Sequence, residues 1–144
     1  YQGAWNSPAT AVAAAALGQR VLLSVRTIFF TDRPSGIGST LRADFATRWA
    51  NALPLHQELY ANGTILGFNL GDELVWNCVL TEQVQTAAAT VRKDFPRGGA
   101  IIWYNEAAML QFPHNKCNTT HFSVDVKIPP ELDWFSVDIY HMDG

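Results

Sequence analysis

Strand-like and helix-like segments alternate along this chain, and that rhythm constrains the fold more than any other feature. Four apolar, β-rich runs stand out: Val21–Phe30, Thr64–Leu70, Ala100–Tyr104 and Trp134–Tyr140. Helix-like stretches lie before and between them. Ser7 is a good N-cap with Pro8 at the first helical position, so a helix is expected from Pro8 to Leu17, ended by Gly18. A second spans Asp44 to Tyr60, with Phe45, Trp49, Ala52 and Leu59 at helical spacing and Pro54 expected to kink or split it. A third runs from Thr81 to Asp94 and stops before Pro96 and Gly98-Gly99. Strands alternating with helices read as βα units on a parallel sheet.

The runs end near Phe30, Glu73, Glu106 and Tyr140, on average about 35–40 residues apart. A (β/α)8 barrel allots roughly 30 residues to each unit, which leaves room for long loops after the strands. A doubly wound sheet has a similar rhythm, but its glycine-rich turn from strand into helix is missing. Gly36-Ile37-Gly38 follows the first run without the rest of that pattern. The expected fold is therefore α/β, a partial (β/α)8 TIM barrel comprising about strands 3 to 6 with their intervening helices. It forms a single domain over residues 1–144 and is roughly half of a barrel needing about 250 residues. An isolated set of parallel strands exposes two edges, so either the rest of the barrel comes from the same chain or another, or the fold is an open sheet.

Composition narrows the function. With 48% hydrophobic residues the chain can build a core, and a formal charge of −3 leaves no electrostatic footprint for nucleic acid. No apolar run reaches the roughly 18 residues of a membrane helix, so no span is expected. The chain has neither a G-x-S-x-G elbow nor a Walker motif, and no cofactor is expected. His114, Cys117 and His121 lie close in sequence but lack a fourth ligand, so no metal is expected either.

Parity sorts each strand into two faces. In the second run Leu66, Phe68 and Leu70 share one face, and Gly67, Asn69, Gly71 and Glu73 the other. In the fourth, Phe135, Val137 and Ile139 oppose Trp134, Ser136, Asp138 and Tyr140. The first run groups Ser24 with Arg26, and the third groups Tyr104 with Glu106. A purely structural barrel lumen is filled with Val, Ile and Leu, whereas this inner face carries Arg, Asn, Glu, Asp and Tyr. Buried polar groups need partners, so a lumen of that kind lines a site.

Glu73, Glu106 and Asp138 all fall at C-terminal strand ends, where α/β enzymes place their chemistry. Carboxylates on neighbouring strands approach within roughly 5–6 Å, which suits glycosidases: one carboxyl protonated as acid, the other ionised. Asp72, Glu73 and Glu106 are the catalytic candidates. Arg26, Asn69, Trp76, Tyr104, Asp138 and Tyr140 are the candidates for substrate binding, with Arg26 a possible partner of Asp138 and the aromatic faces suited to stacking a sugar ring.

Two sequons, at Asn62 and Asn118, and an even cysteine count tilt toward a secreted or luminal, glycosylated protein. Cys78 and Cys117 follow successive strands and belong to loops on the same face of the sheet, where a disulfide would tie them.

Gly67-Phe68-Asn69-Leu70-Gly71-Asp72-Glu73-Leu74 resembles the fourth-strand segment of (β/α)8 glycoside hydrolases, where an aromatic-rich strand ends in Gly-Asp-Glu or Ala-Asp-Glu. Asp133-Trp134-Phe135-Ser136-Val137-Asp138-Ile139-Tyr140 is similar to a later strand, and Ile102-Trp103-Tyr104-Asn105-Glu106 to the one between. The resemblance implies hydrolysis of O-glycosidic bonds, with Glu73 as general acid/base and Asp138 and Tyr140 lining the sugar subsite. Gly71-Asp72-Glu73-Leu74 with Cys78 also resembles β-N-acetylhexosaminidases, in which the Asp orients the substrate acetamido group and the Glu is the acid. The rival class is a non-catalytic carbohydrate-binding or structural protein that keeps the polar face and has lost its second carboxylate.

Overall fold

The computed structural model describes residues 4–5, 7–36, 38–107 and 127–138. Strands β1 (Ala4–Trp5), β2 (Val21–Ser24), β5 (Ile65–Asp72), β6 (Ile101–Ala107) and β7 (Trp134–Asp138) form one sheet, and β3 (Phe30–Asp32) pairs antiparallel with β4 (Ser39–Leu41). The helices are α1 (Pro8–Ala16), α2 (Arg26–Phe29), α3 (Phe45–Ala61) and α4 (Thr81–Asp94). Among the described residues, every pairing in the five-stranded sheet is parallel, and its strands lie side by side in chain order, β1-β2-β5-β6-β7.

That order has a physical consequence. A doubly wound sheet reverses direction at its switch point, whereas here each crossover steps the same way. Parallel crossovers are right-handed almost without exception, so a constant step puts the connecting helices on one face. Ala11 and Ala14 of α1, Trp49 and Leu59 of α3, and Val84 and Val91 of α4 accordingly join Leu23, Phe68 and Ile102 in one buried cluster. Those three strand residues are register partners on adjacent strands.

Local chemistry explains the helices. Ser7 caps α1 reciprocally: its Oγ accepts the Thr10 N–H, and its own N–H donates to Thr10 Oγ1, both at 3.2 Å. α4 begins at Thr81, with Leu80 as N-cap donating its N–H to the Gln83 side chain. The expected break at Pro54 does not occur, and α3 runs through it for 17 residues. Pro54 forfeits one backbone hydrogen bond, but Trp49 on one side and Leu59 on the other are locked in the core.

The first run departs most from expectation. β2 ends at Ser24, and Arg26 to Phe29 wind into a single turn of helix that drives Phe29 fully into the core, 5.5 Å from the Trp49 ring. Ser24 and Arg26 therefore do not share a strand face. The β3–β4 hairpin that follows docks on the loop after β5: Ser39 N–H donates to Asn77 O, and Arg33 Nη2 to Cys78 O, both at 2.6 Å. Gly38 is required at that contact, because a Cβ would stand 2.4 Å from Cys78 Sγ at a φ of +74°. β6 also runs longer than its apolar core implies, keeping Glu106 within the strand.

Candidate functional site

A slip in the β5–β6 ladder decides which acid faces which neighbour. Gly67, Phe68 and Asn69 pair in step with Ile101, Ile102 and Trp103, and the register then shifts before Asp72. Gly71 sits at the shift with a φ of 153°, and Asn69 Oδ1 accepts its N–H at 2.8 Å. Asp72, rather than Gly71, thus comes to lie opposite Asn105. Strict alternation had placed Glu73 on the face of Asn69, and the bulge displaces it by one.

Asn105 is the hub of what results. Its Nδ2 donates to Asp72 Oδ1 at 2.6 Å and to Asp138 Oδ2 at 2.8 Å. Its Oδ1 accepts the Ser136 hydroxyl, whose oxygen accepts Trp103 Nε1 at 3.0 Å. Ordinary hydrogen bonds to one nitrogen hold the two aspartate oxygens within about 5–6 Å of each other. Asn105 is buried and Asp138 half-buried, while Asp72 is exposed. Asn69, Trp103 and Trp134 form a register row across three strands, and Asn105 and Ser136 follow two residues on along the same face. Trp134 is half exposed. The described C-terminal halves of β5, β6 and β7 thus carry two carboxylates, one bridging amide and one hydroxyl, and the two indoles lie further back on the same face, Trp134 as the first residue of β7.

The other expected residues lie elsewhere. Tyr104 and Glu106 do share a face, as parity requires, but it is the helix-packed face. Tyr104 is 1% exposed in the core, its ring 5.6 Å from that of Phe135. Glu106, also 1% exposed, sits beneath the turn that carries Glu73. Its Oε2 accepts the Val75 N–H at 2.9 Å, and its Oε1 accepts the N–H groups of Trp76 and Ala107. Burial pushes the Glu106 carboxyl up to about 7 despite these three donors, and the nearby Glu73 adds to the rise.

Glu73 itself is half-buried at a φ of 47°, its N–H donating to Asn105 O at 2.9 Å. Non-glycine residues in that region are uncommon and concentrate at functional sites and tight turns. The turn is closed by Asn77, whose backbone and side-chain N–H groups both donate to Glu73 O at 2.8 Å. Trp76 contributes its backbone N–H to Glu106.

Arg26 does not meet Asp138. Its Nη2 donates to Ser39 Oγ at 3.0 Å and lies 3.8 Å from the Asp32 carboxylate, within the hairpin region. Asp138 accepts from Asn105 instead. Cys78 is buried and is not a free thiol. Tyr140, Cys117, Asn118 and the His114–Cys117–His121 group lie outside the described residues, as does any pairing through Cys117. Among the described residues no group of three or more His, Cys, Asp and Glu is arranged to hold a metal, and no helix is long and apolar enough to cross a membrane.

Sequence reasoning missed Asn105, the residue that joins the site. The signal that marks it is period-two alternation: Trp103 and Asn105 on one strand, Trp134, Ser136 and Asp138 on the next. Comparison of the chain with family models, curated proteins and solved structures found no match.

Proposed function

We propose that the chain is a central part of a (β/α)8 glycoside hydrolase-like domain that acts on O-glycosidic bonds, with the polar sheet face as its sugar site and Glu73 as general acid/base. One observation carries the reading: the Asn105 amide bridges Asp72 and Asp138 on a face that also bears Trp103 and Trp134. Paired carboxylates and amides bind vicinal hydroxyls, and indole faces take the apolar side of a sugar ring. Strands laid in chain order with helices on one face are what a barrel segment requires, and the carboxylates stand at the C-terminal ends where barrel sites form. In this scheme Glu73 donates its proton to the glycosidic oxygen as the bond to the anomeric carbon breaks, and a water oxygen then bonds to that carbon while a water proton returns to the Glu73 carboxylate.

A second reading has an observation of its own. Glu106, the carboxyl nearest in character to a second catalytic acid, is sealed from solvent and held by three N–H groups. A carbohydrate-binding protein without turnover would tolerate that arrangement. Turnover of a panel of aryl glycosides separates the two: hydrolysis that falls by at least about a hundredfold in E73Q supports the enzyme. Sugar binding with no hydrolysis by the unaltered protein supports the binding module. Hydrolysis unchanged in E73Q removes Glu73 from the chemistry. A secreted or luminal setting and a Cys78–Cys117 disulfide belong to the same proposal, as does completion of the barrel by further strands of this chain or another.

A further inference from the structure

We infer that Asn62 is an N-glycosylation site, carried at the pole of the sheet opposite the carboxylates. The sequon Asn62-Gly63-Thr64 closes α3 and leads into β5. Asn62 is exposed, and its Oδ1 accepts the Thr64 N–H at 3.0 Å, which shapes the triplet into an Asx turn. The atom to be modified is the other one, Nδ2, and it donates to nothing among the described residues. Gly63 takes a φ of +78°, and nothing stands within 4 Å of where its Cβ would be, so the turn is open beside Gly63.

The position also spares the proposed site. β5 rises from this turn to Asp72 over eight residues, a span of about 26 Å at roughly 3.3 Å per residue. A glycan at Asn62 therefore grows from the far end of the strand whose near end carries the acids. That Cys78 is not a free thiol fits an oxidising compartment, where such transfer occurs.

The reaction balances without an oxidant or reductant. Asn62 Nδ2 bonds to the anomeric carbon of a polyprenyl diphosphate-linked oligosaccharide as that carbon's bond to the diphosphate oxygen breaks. The lipid diphosphate leaves, and the displaced Nδ2 proton passes to the transferase.

The test is occupancy of Asn62 in the chain secreted by a eukaryotic host behind a secretory leader. Digestion with a peptide N-glycosidase in heavy-oxygen water is expected to convert Asn62 to a labelled Asp, and N62Q is expected to lose the mass of one glycan. T64A, which keeps the Asn62 amide but removes the hydroxyl the sequon requires, is expected to lose the same mass. A secreted wild-type chain with unlabelled, unconverted Asn62 overturns the proposal, whatever the state of Asn118. An unmodified wild-type chain retained inside the cell counts against it equally.

Discussion

The side-chain amide of Asn105 donates to the Asp72 carboxylate at 2.6 Å across the β5–β6 ladder, and this contact exists only because the ladder slips by a residue at Gly71. An unslipped strand would set Gly71 opposite Asn105 and leave Asp72 on the helix-packed face. Gly71 suits the position for two reasons. Its φ of 153° is rarely adopted by residues with a side chain, and a Cβ would lie 2.8 Å from Leu74 Cδ2. G71V is expected to lower stability by about 1–3 kcal/mol in urea denaturation.

Replacing the hub should cost more than its size implies. N105L removes one donor group and one acceptor at a buried position, leaving Asp138 and the Ser136 hydroxyl without their bridge. Unmet hydrogen-bonding groups cost about 1–3 kcal/mol each when they stay buried, so chemical denaturation should register a loss in that range. A loss below about 0.5 kcal/mol would mean that solvent takes over the role of Asn105.

Two buried titratable groups pull stability in opposite directions as pH changes. The folded state raises Glu106 from 4.5 to about 7, so its favourable contribution is full below about 4.5 and disappears as pH rises through 7. His56 is 3% exposed between the rings of Trp49 and Phe68, and burial lowers it from 6.5 to about 4. Its contribution is full above 6.5 and is lost as pH falls through 4. Each is worth on the order of 3 kcal/mol at full extent, and between about 4.5 and 6.5 the two slopes offset. E106Q is expected to unmask stability that rises with pH in that window, and H56F stability that falls with it. Thermal unfolding across the window reads the signs directly; two variants with slopes of the same sign would refute the assignment.

Arg92 fastens the approach to β7. Its guanidinium donates to Glu131 O, Phe95 O and the Asp133 carboxylate, and Asp133 Oδ2 also accepts the Ile102 N–H at 2.8 Å. One side chain thus joins α4, the segment ahead of β6, and the lead into β7. R92M preserves the aliphatic stem and is expected to cost about 2–3 kcal/mol, since charge-assisted bonds in partly buried sites are lost together. Hydrogen exchange should show the loss first in β7, an edge strand among the described residues.

Much of the scaffold was legible in the sequence, because local signals agreed with the global fold. Ser7-Pro8 marked the start of α1, and the apolar runs located β5, β6 and β7. The parallel sheet followed from their alternation with helices. What could not be read depended on relationships between strands. The two residues of β1 are too few to make a pattern, and the helical turn at Arg26–Phe29 interrupts a run that is β-rich by composition. The bulge at Gly71 shifts parity by one, so counting residues misplaces Glu73 relative to Asp72. Glu106 was visible as a strand-end acid, but its face was set by Tyr104, which packs into the core. Asn105 carries no motif at all; only pairing with its neighbours makes it the hub.

The most direct measurement is titration of the folded protein with short oligosaccharides of varied composition, followed by tryptophan fluorescence and calorimetry. Saturable binding that shifts indole emission is expected for at least one sugar class, because Trp103 and Trp134 share the face of the bridged aspartates. W134A and D72N should each weaken it at least about tenfold, the equivalent of about 1.4 kcal/mol. Absence of binding across all sugar classes, or binding untouched by both substitutions, would contradict the account.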